Sequence, residues 1–274
     1  MKILSKIDKV FIVIGLMPCF LLCGCKSAST SSKSISPTIN IQGDFKWKYV
    51  DTEFCRVYYY QDDDAVSSKT KEIDGIYKGI CDKFKHSSKG DPRENNKIVI
   101  TFLDDETYKN YTGDATAGAQ WRDSGGLINL NKINSNNVNG TIRHELIHAV
   151  TLRSEDSKMK NYPSWFAEGI AQYYQQDIEK GSFQQSLIKD AVAKKGIEPW
   201  STMISESGKW DNRALKYTEA ACIYDFLIKK YGEDKIVNIF YTDGNFNEVI
   251  QGITNKSIYE LEKEWNEYIS SMYT

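Results

Sequence analysis

The feature that most constrains the fold of this 274-residue chain is a pair of histidines four residues apart. His144 and His148 lie in the segment HELIHAVT, which has the apolar spacing of a helix. On a helix the two imidazoles share one face, about 6 Å apart along the axis, so both reach one metal ion and Glu145 flanks it. This H-E-x-x-H pattern predicts a zinc-binding site.

The alternative is a helix whose histidines are solvated or hydrogen-bonded in the core without a metal. One side of the helix is apolar, so its polar members need partners if the helix is buried. Burying His and Glu without a metal or a hydrogen-bond network would be costly, which favours the metal site. The apolar residues are Ile142, Leu146, Ala149 and Val150.

A third ligand is offered by the next helical segment. A catalytic zinc ion needs three protein ligands and an open position. Glu168 stands among apolar residues in a segment that begins at Pro163, a residue suited to a first helical turn. An ionised carboxylate in that setting needs a cation, and a metal ion would supply it; the alternative is an exposed helix charge.

These two segments together resemble a known family. HELIHAVT at 144–151 followed by WFAEGIAQYY at 165–174 resembles the gluzincin metallopeptidases and, within them, the peptidase MA-like domains. Nineteen residues separate His148 from Glu168, as in the thermolysin-like branch. The resemblance covers most of residues 45–272 and implies an α+β, zincin-like fold, in which a small mixed sheet and a zinc helix precede a helical lobe.

The resemblance implies roles for the site residues. His144 and His148 would be imidazole ligands and Glu168 the carboxylate ligand of one Zn²⁺, while Glu145 would be the general base. The implied activity is hydrolysis of peptide or protein substrates by a metal-activated water. An amide hydrolase with a Cys ligand would need a nearby Cys, and Cys222 lies in an apolar helix, so Glu168 is the better candidate. A surface binding or sensor module that keeps the fold without turnover is the alternative function.

The resemblance also implies roles for a strand, a tyrosine and a glutamine, although less directly. A strand before the zinc helix would pair as an edge strand with an extended substrate, or it is an ordinary strand of the sheet. Tyr217 falls where related enzymes place an oxyanion donor, although a core role is the default for such a Tyr. Gln172, one turn after Glu168, would orient His144, but the thermolysin-like pattern has a carboxylate there. The strand residues are Gly118, Ala119, Gln120 and Trp121.

The N-terminus reads as a targeting segment. Three lysines precede an apolar run from Val10 to Leu22, too short for a stable membrane span but suited to a secretory signal. The sequence LCGC at 22–25 resembles the lipobox of bacterial lipoproteins, with Cys25 as the lipidated residue and residues 1–24 removed; Cys23 fits less well. A plain signal peptide cut near Ala28 is the alternative.

The rest of the chain is predicted to be a Ser-rich linker and one catalytic domain. The lipidated Cys and linker occupy 25–44 and the peptidase MA-like domain 45–272, divided into an α/β lobe at 45–153 and a helical lobe at 154–272. Attachment would be outside the cytoplasmic membrane through the lipid. The mature chain has 32 basic and 36 acidic side chains. It has no basic excess that would bind a phosphate backbone, which argues against nucleic acid as a partner.

The periodicity predicts strands first and helices afterwards. Glycines between two strands predict a hairpin, and Gly232 is expected to end a helix. Three cysteines remain in the predicted domain and are expected to be buried thiols, with a Cys55–Cys81 bridge left open. The predicted strands are 54–60, 97–103, 117–121 and 127–130, and the helices are 63–84, 104–111, 138–153, 163–177, 182–194, 213–231, 233–241 and 256–272.

Overall fold

A mixed sheet followed by helices forms the architecture of the computed structural model. The described residues are 41–86, 96–113, 118–122, 125–135, 137–152, 158–159, 162–181, 185–194, 196–203 and 210–273, and all of them fall within one compact unit, Ser34–Thr274. The predicted α+β class with a small mixed sheet is confirmed. The division of the domain at residue 153 stays a prediction.

The described strands form one sheet of five in the order β1-β2-β3-β5-β4. The central pairs β2–β3 and β3–β5 are parallel, and the outer pairs β1–β2 and β4–β5 are antiparallel. Parallel neighbours need a long crossover connection, which α1 provides between β2 and β3, whereas β4 and β5 form the predicted hairpin. The strands are β1 Lys48–Asp51, β2 Cys55–Tyr59, β3 Ile98–Leu103, β4 Ala119–Arg122 and β5 Gly125–Asn129.

The centre of the sheet is buried on both faces. Ile100 and Phe102 of β3 belong to the main core with residues of α1 and α3, while Leu103 packs with Tyr108 of α2 in a smaller cluster. Every residue of β3 is buried, which explains its continuous apolar sequence IVITFL. The sheet therefore supplies a rigid layer against which the first helices pack.

Helices make up most of the described chain after residue 137. α4 and α6 make the most extensive helix pair, and α3 packs on α1, α4 and β4. Three short 3₁₀ turns, Leu130–Lys132, Trp200–Met203 and Asn238–Tyr241, connect elements. The helices are α1 Asp63–Phe84, α2 Asp105–Thr112, α3 Val138–Thr151, α4 Ser164–Tyr174, α5 Gln185–Ala193, α6 Arg213–Tyr231, α7 Glu233–Val237, α8 Phe246–Thr254 and α9 Ile258–Tyr273.

The structure corrects several predicted elements. It adds β1, a short and polar edge strand, and α8, which begins with a capping box between Asn245 and Glu248. The single helix predicted over 233–241 is α7 followed by a 3₁₀ turn, and α4 ends at Tyr174, three residues earlier than predicted. Gly232 ends α6 at a φ of 90°, as expected.

Two further findings concern membrane-spanning helices and the cysteine thiols. Among the described helices, none combines the length and apolar character that a membrane span requires. Cys55, Cys81 and Cys222 are free and buried, as expected. Burial raises the pKa of the Cys81 thiol to about 11 and that of Cys222 to about 12, so these thiols are protonated at neutral pH. Cys25 lies outside the described residues.

Candidate metal centre

Helix α3 carries both histidines on the side that faces α4. Its opposite, apolar side is anchored in the core through Ile142, Leu146 and Val150, each at most 2% exposed. His144 and His148 are one turn apart, and their rings lie edge to face with centroids 4.7 Å apart. The buried face of α3 therefore fixes the direction of the two imidazoles.

Helix α4 brings Glu168 to the same point. Its apolar residues Trp165, Phe166 and Ile170 are at most 1% exposed and hold it in the core. At Gly169 the backbone of α4 closely approaches α6: a Cβ added there would lie 2.4 Å from the carbonyl oxygen of Ala220. Only a glycine permits this approach, which sets the position of the neighbouring Glu168.

The three donor atoms form a nearly equilateral triangle. The Nε2 atoms of His144 and His148 are 3.1 Å apart, and they lie 3.2 Å and 3.1 Å from Oε2 of Glu168. The side chains are 12%, 10% and 14% exposed, in that order. In the part of the chain that the structure describes, this is the His/Cys/Asp/Glu group that could hold a metal ion.

The donor set fits a zinc ion by size and by chemistry. Ligands about 2.0–2.2 Å from a tetrahedral Zn²⁺ lie roughly 3.3–3.6 Å apart, close to the sides of the triangle. Two imidazole nitrogens and one carboxylate oxygen leave a fourth position open, which is the pattern of catalytic rather than structural zinc sites. The carboxylate oxygen of Glu168 lies within hydrogen-bond distance of both imidazole nitrogens, which are the atoms that would bind the metal.

The electrostatics keep Glu168 ionised. Burial by itself would raise its pKa, but the charge of His148 and hydrogen bonds from His144 and His148 hold the pKa well below its usual range. The carboxylate is the form of Glu168 that binds a divalent cation, and the imidazoles bind one in their neutral form.

Glu145 and Tyr217 lie on the helices that border the triangle. Glu145 follows His144 on α3 and is partly buried. The Tyr217 ring on α6 lies with its centroid 6.1 Å from that of His144, and Trp210, 5% exposed, packs edge to face on Tyr217 at 5.3 Å. The structure thus brings Tyr217 next to the metal ligands, although its sequence separation from them exceeds 40 residues.

The predicted substrate strand is an edge strand among the described residues. β4 pairs with β5 alone, with Gln120 opposite Leu127 and Trp121 opposite Gly126, and its other side carries no described strand. Gly118 precedes β4 and accepts a hydrogen bond from the Asn129 amide through its carbonyl oxygen. Because β4 packs on α3, this edge runs beside the helix that carries the histidines.

No contact in the described residues joins Gln172 to His144. Gln172 lies one turn after Glu168 on α4, and the Nδ1 atom of His144 has no hydrogen-bond partner among the described residues. The orienting role of Gln172 stays a prediction.

Three residues that help to shape the candidate site were not identified from the sequence. Gly169 had a visible signal, a glycine inside an otherwise helical pattern directly after a candidate ligand. Arg143 donates from Nη1 to the carbonyl oxygens of Gln175, at 2.9 Å, and Gln176, which no local pattern indicates. Trp210 likewise acquires its contact with Tyr217 only through the tertiary fold.

The fold and the site together define an α+β protein of metallopeptidase-like type, with a two-His, one-Glu group on neighbouring helices. The family described as the Peptidase MA superfamily matches residues 110–271, a range that includes β4, α3, α4 and α6. The chain therefore belongs to the Peptidase MA superfamily. No curated protein matches the chain significantly.

Proposed function

We propose that this protein is a zinc-dependent peptidase attached to the outer side of the cytoplasmic membrane. The observation that carries the proposal is the convergence of His144, His148 and Glu168 within 3.2 Å of one another on two packed helices. Membership of the Peptidase MA superfamily supports the reaction class.

Under this proposal each residue of the site has a separate role in peptide hydrolysis. A Zn²⁺ ion held by the three donors would polarise a peptide carbonyl and lower the pKa of water. Glu145 would accept the proton of the attacking water and pass it to the departing amine, as a general base and then acid. The hydroxyl of Tyr217 would donate a hydrogen bond to the oxyanion. The low exposure of the ligands strengthens these charge interactions.

The substrate would be an extended peptide. The side of β4 that faces away from β5 would let a substrate segment add to the sheet as a further strand, along Gly118, Ala119, Gln120 and Trp121. Backbone pairing holds peptides of any sequence, and side-chain pockets would provide the preference.

The proposed anchor rests on residues 22–25. Acyl chains on Cys25, together with the Ser-rich linker, would tether the domain to the membrane. Labelling with a radioactive fatty acid tests the anchor: the label should disappear in Cys25→Ser and remain in Cys23→Ser.

The function is tested by digestion of a peptide library with the purified full chain, in wild-type form and as Glu145→Gln. We expect about one Zn²⁺ per chain in both proteins and cleavage only by the wild type, with cleavage abolished by a chelator. Intact cleavage by Glu145→Gln would show that the assigned mechanism is wrong. Zinc binding by a wild type that cleaves nothing would favour a binding module instead.

A further inference from the structure

We propose that Arg143 is a positioning residue that holds α4 in register with α3, so that Glu168 meets the two histidines before any metal binds. The inference rests on the proposed function, since it concerns the same metal site. Arg143 touches none of the three donor atoms in the described contacts; it would act through the helix that carries Glu168.

The contacts of Arg143 join the two helices that carry the ligands. Its Nη1 atom donates to the carbonyl oxygens of Gln175, at 2.9 Å, and Gln176. Both carbonyls follow the last residue of α4, where a helix has no partners of its own for its carbonyl oxygens. A cation at that end also interacts favourably with the helix dipole. The guanidinium thus bonds the chain directly after α4 and ties the C-terminal end of that helix to α3.

The hydrogen bonds from Arg143 to Gln175 and Gln176, called the clamp below, lie beside a close backbone contact. A Cβ added at Gly140 would lie 3.2 Å from the carbonyl oxygen of Gln175, so α3 and the end of α4 are already near each other one turn before Arg143. The close packing at Gly140 limits how near the helices come, and the bonds from Arg143 limit how far α4 can slide.

A slide of α4 would be transmitted directly to the site. Glu168 and Gln175 are two turns apart, about 10 Å along a helix with a rise of 1.5 Å per residue. Because a helix moves as a rigid element, an axial shift at Gln175 displaces the Glu168 carboxylate by a similar amount. Metal sites require their ligands within about 0.5 Å of the productive geometry, so a small slide separates the donors.

The experiment compares Arg143→Met, Arg143→Lys and Lys69→Met in the full chain. Met keeps an unbranched stem without the donors, whereas Lys restores one cationic group that cannot match the planar fork. Lys69→Met is the matched control, because Lys69 binds Asn139 at 2.8 Å and thereby holds α3 to α1 rather than to α4. Circular dichroism and thermal unfolding of the metal-free proteins report on folding, and competition with a chromophoric chelator reports the Zn²⁺ affinity.

We expect Arg143→Met to bind Zn²⁺ about 10- to 100-fold more weakly, the range seen when outer partners of metal ligands are lost. Arg143→Lys should be intermediate, and Lys69→Met should keep the wild-type affinity even if it melts earlier. Wild-type affinity in Arg143→Met, or in Arg143→Lys if the Met variant does not fold, would overturn the proposal, as would an equal loss in Lys69→Met.

The failure of the clamp is distinguishable from the failure of the peptidase. Zinc affinity is measured without substrate, so a wild type that binds Zn²⁺ but cleaves no peptide contradicts the activity and leaves the clamp to be judged by its own variants. A wild type without measurable Zn²⁺ binding would overturn both.

Discussion

Neighbouring side chains on α3 carry different tasks because a helix turns about 100° per residue. His144 points at the donor triangle, whereas Arg143, one position earlier, reaches the end of α4. Glu145, one position later, is available as the proposed base. Three consecutive residues would thus serve positioning, metal binding and proton transfer under the proposed function.

At the residue scale, Tyr217→Phe tests the oxyanion role. The substitution keeps the ring contacts with Trp210 and His144 and removes only the hydroxyl. We expect kcat to fall by about 10²- to 10³-fold with KM and zinc content nearly unchanged, since one oxyanion donor is lost. Steady-state kinetics on a fluorogenic peptide measure both constants.

Tyr162→Phe is the matched control for this prediction. The hydroxyl of Tyr162 donates to the backbone carbonyls of Ile239 and Thr242, away from the metal ligands. Its loss should alter stability but not kcat. Equal kcat values for Tyr217→Phe and the wild type would remove Tyr217 from the mechanism.

Pairs of elements decide the position of the ligands. α4 is held from two sides, by α3 through Arg143 and by α6 through the contact of Gly169 with Ala220. Glu168 lies directly beside the second contact. The packing of α4 against α6 therefore helps to position the candidate ligand Glu168, although α6 contributes no member of the donor group found in the described residues.

At the element scale, Gly169→Ala should force α4 away from α6. The added Cβ would meet the Ala220 carbonyl oxygen at 2.4 Å, and overpacking of this kind costs about 1–3 kcal/mol of unfolding free energy. We expect lower stability in urea and weaker Zn²⁺ binding, because Glu168 moves with α4.

Gly75→Ala in α1 is the control, because an added Cβ there has no described atom within 4 Å. A helical Gly-to-Ala change without a clash should stabilise the protein by about 0.5–1 kcal/mol. Gly169→Ala with the same gain would contradict the proposed close approach.

The stability of the whole molecule should depend on Glu219, a buried acid outside the candidate metal site. Glu219 of α6 is fully buried; its Oε1 accepts from the Glu198 amide at 3.0 Å, and its Oε2 has no hydrogen-bond partner in the described residues. Burial, together with the charge of Glu198, raises the pKa of Glu219 from 4.5 to about 8. The folded protein therefore keeps this carboxyl protonated at neutral pH.

At the scale of the molecule, this acid predicts a pH dependence of stability. A carboxyl whose pKa is raised by folding contributes stability that is fully present below 4.5 and is lost as the pH rises through about 8. Relative to Glu219→Gln, the wild type should lose unfolding free energy between pH 5 and 8, by up to about 1.4 kcal/mol per pH unit. Urea unfolding at three pH values measures the difference.

Glu260→Gln provides the opposite sign. Hydrogen bonds from the Ser257 backbone and side chain lower the pKa of this exposed carboxyl. Relative to Glu260→Gln, the wild type should therefore show no loss of unfolding free energy between pH 5 and 8. Parallel stability curves for Glu219→Gln and the wild type would show that Glu219 is ionised in the folded protein.

The sequence correctly predicted the elements whose residue pattern lies within a single continuous segment. α1, α3 and α6 follow from apolar residues at helical spacing, and Gly232 ends α6 where expected. β1 was missed because it is short and polar, and α8 was missed because it has only nine residues, although Phe246, Val249, Ile250 and Ile253 lie at helical spacing. The end of α4 was placed three residues too late; in the structure the carbonyls that follow Tyr174 bind Arg143 from another helix.

For the candidate site, the sequence by itself determined the two-histidine pair, because residues four apart on a helix share a face whatever surrounds them. It also marked Glu168 as a carboxylate in need of a cation. Only the tertiary structure decided that the three donors meet, that Tyr217 lies beside them and that β4 is the edge of the sheet formed by the described strands. These relations join segments distant in the chain, and they depend on side-chain fit between helices, such as the approach at Gly169, which no local spacing encodes.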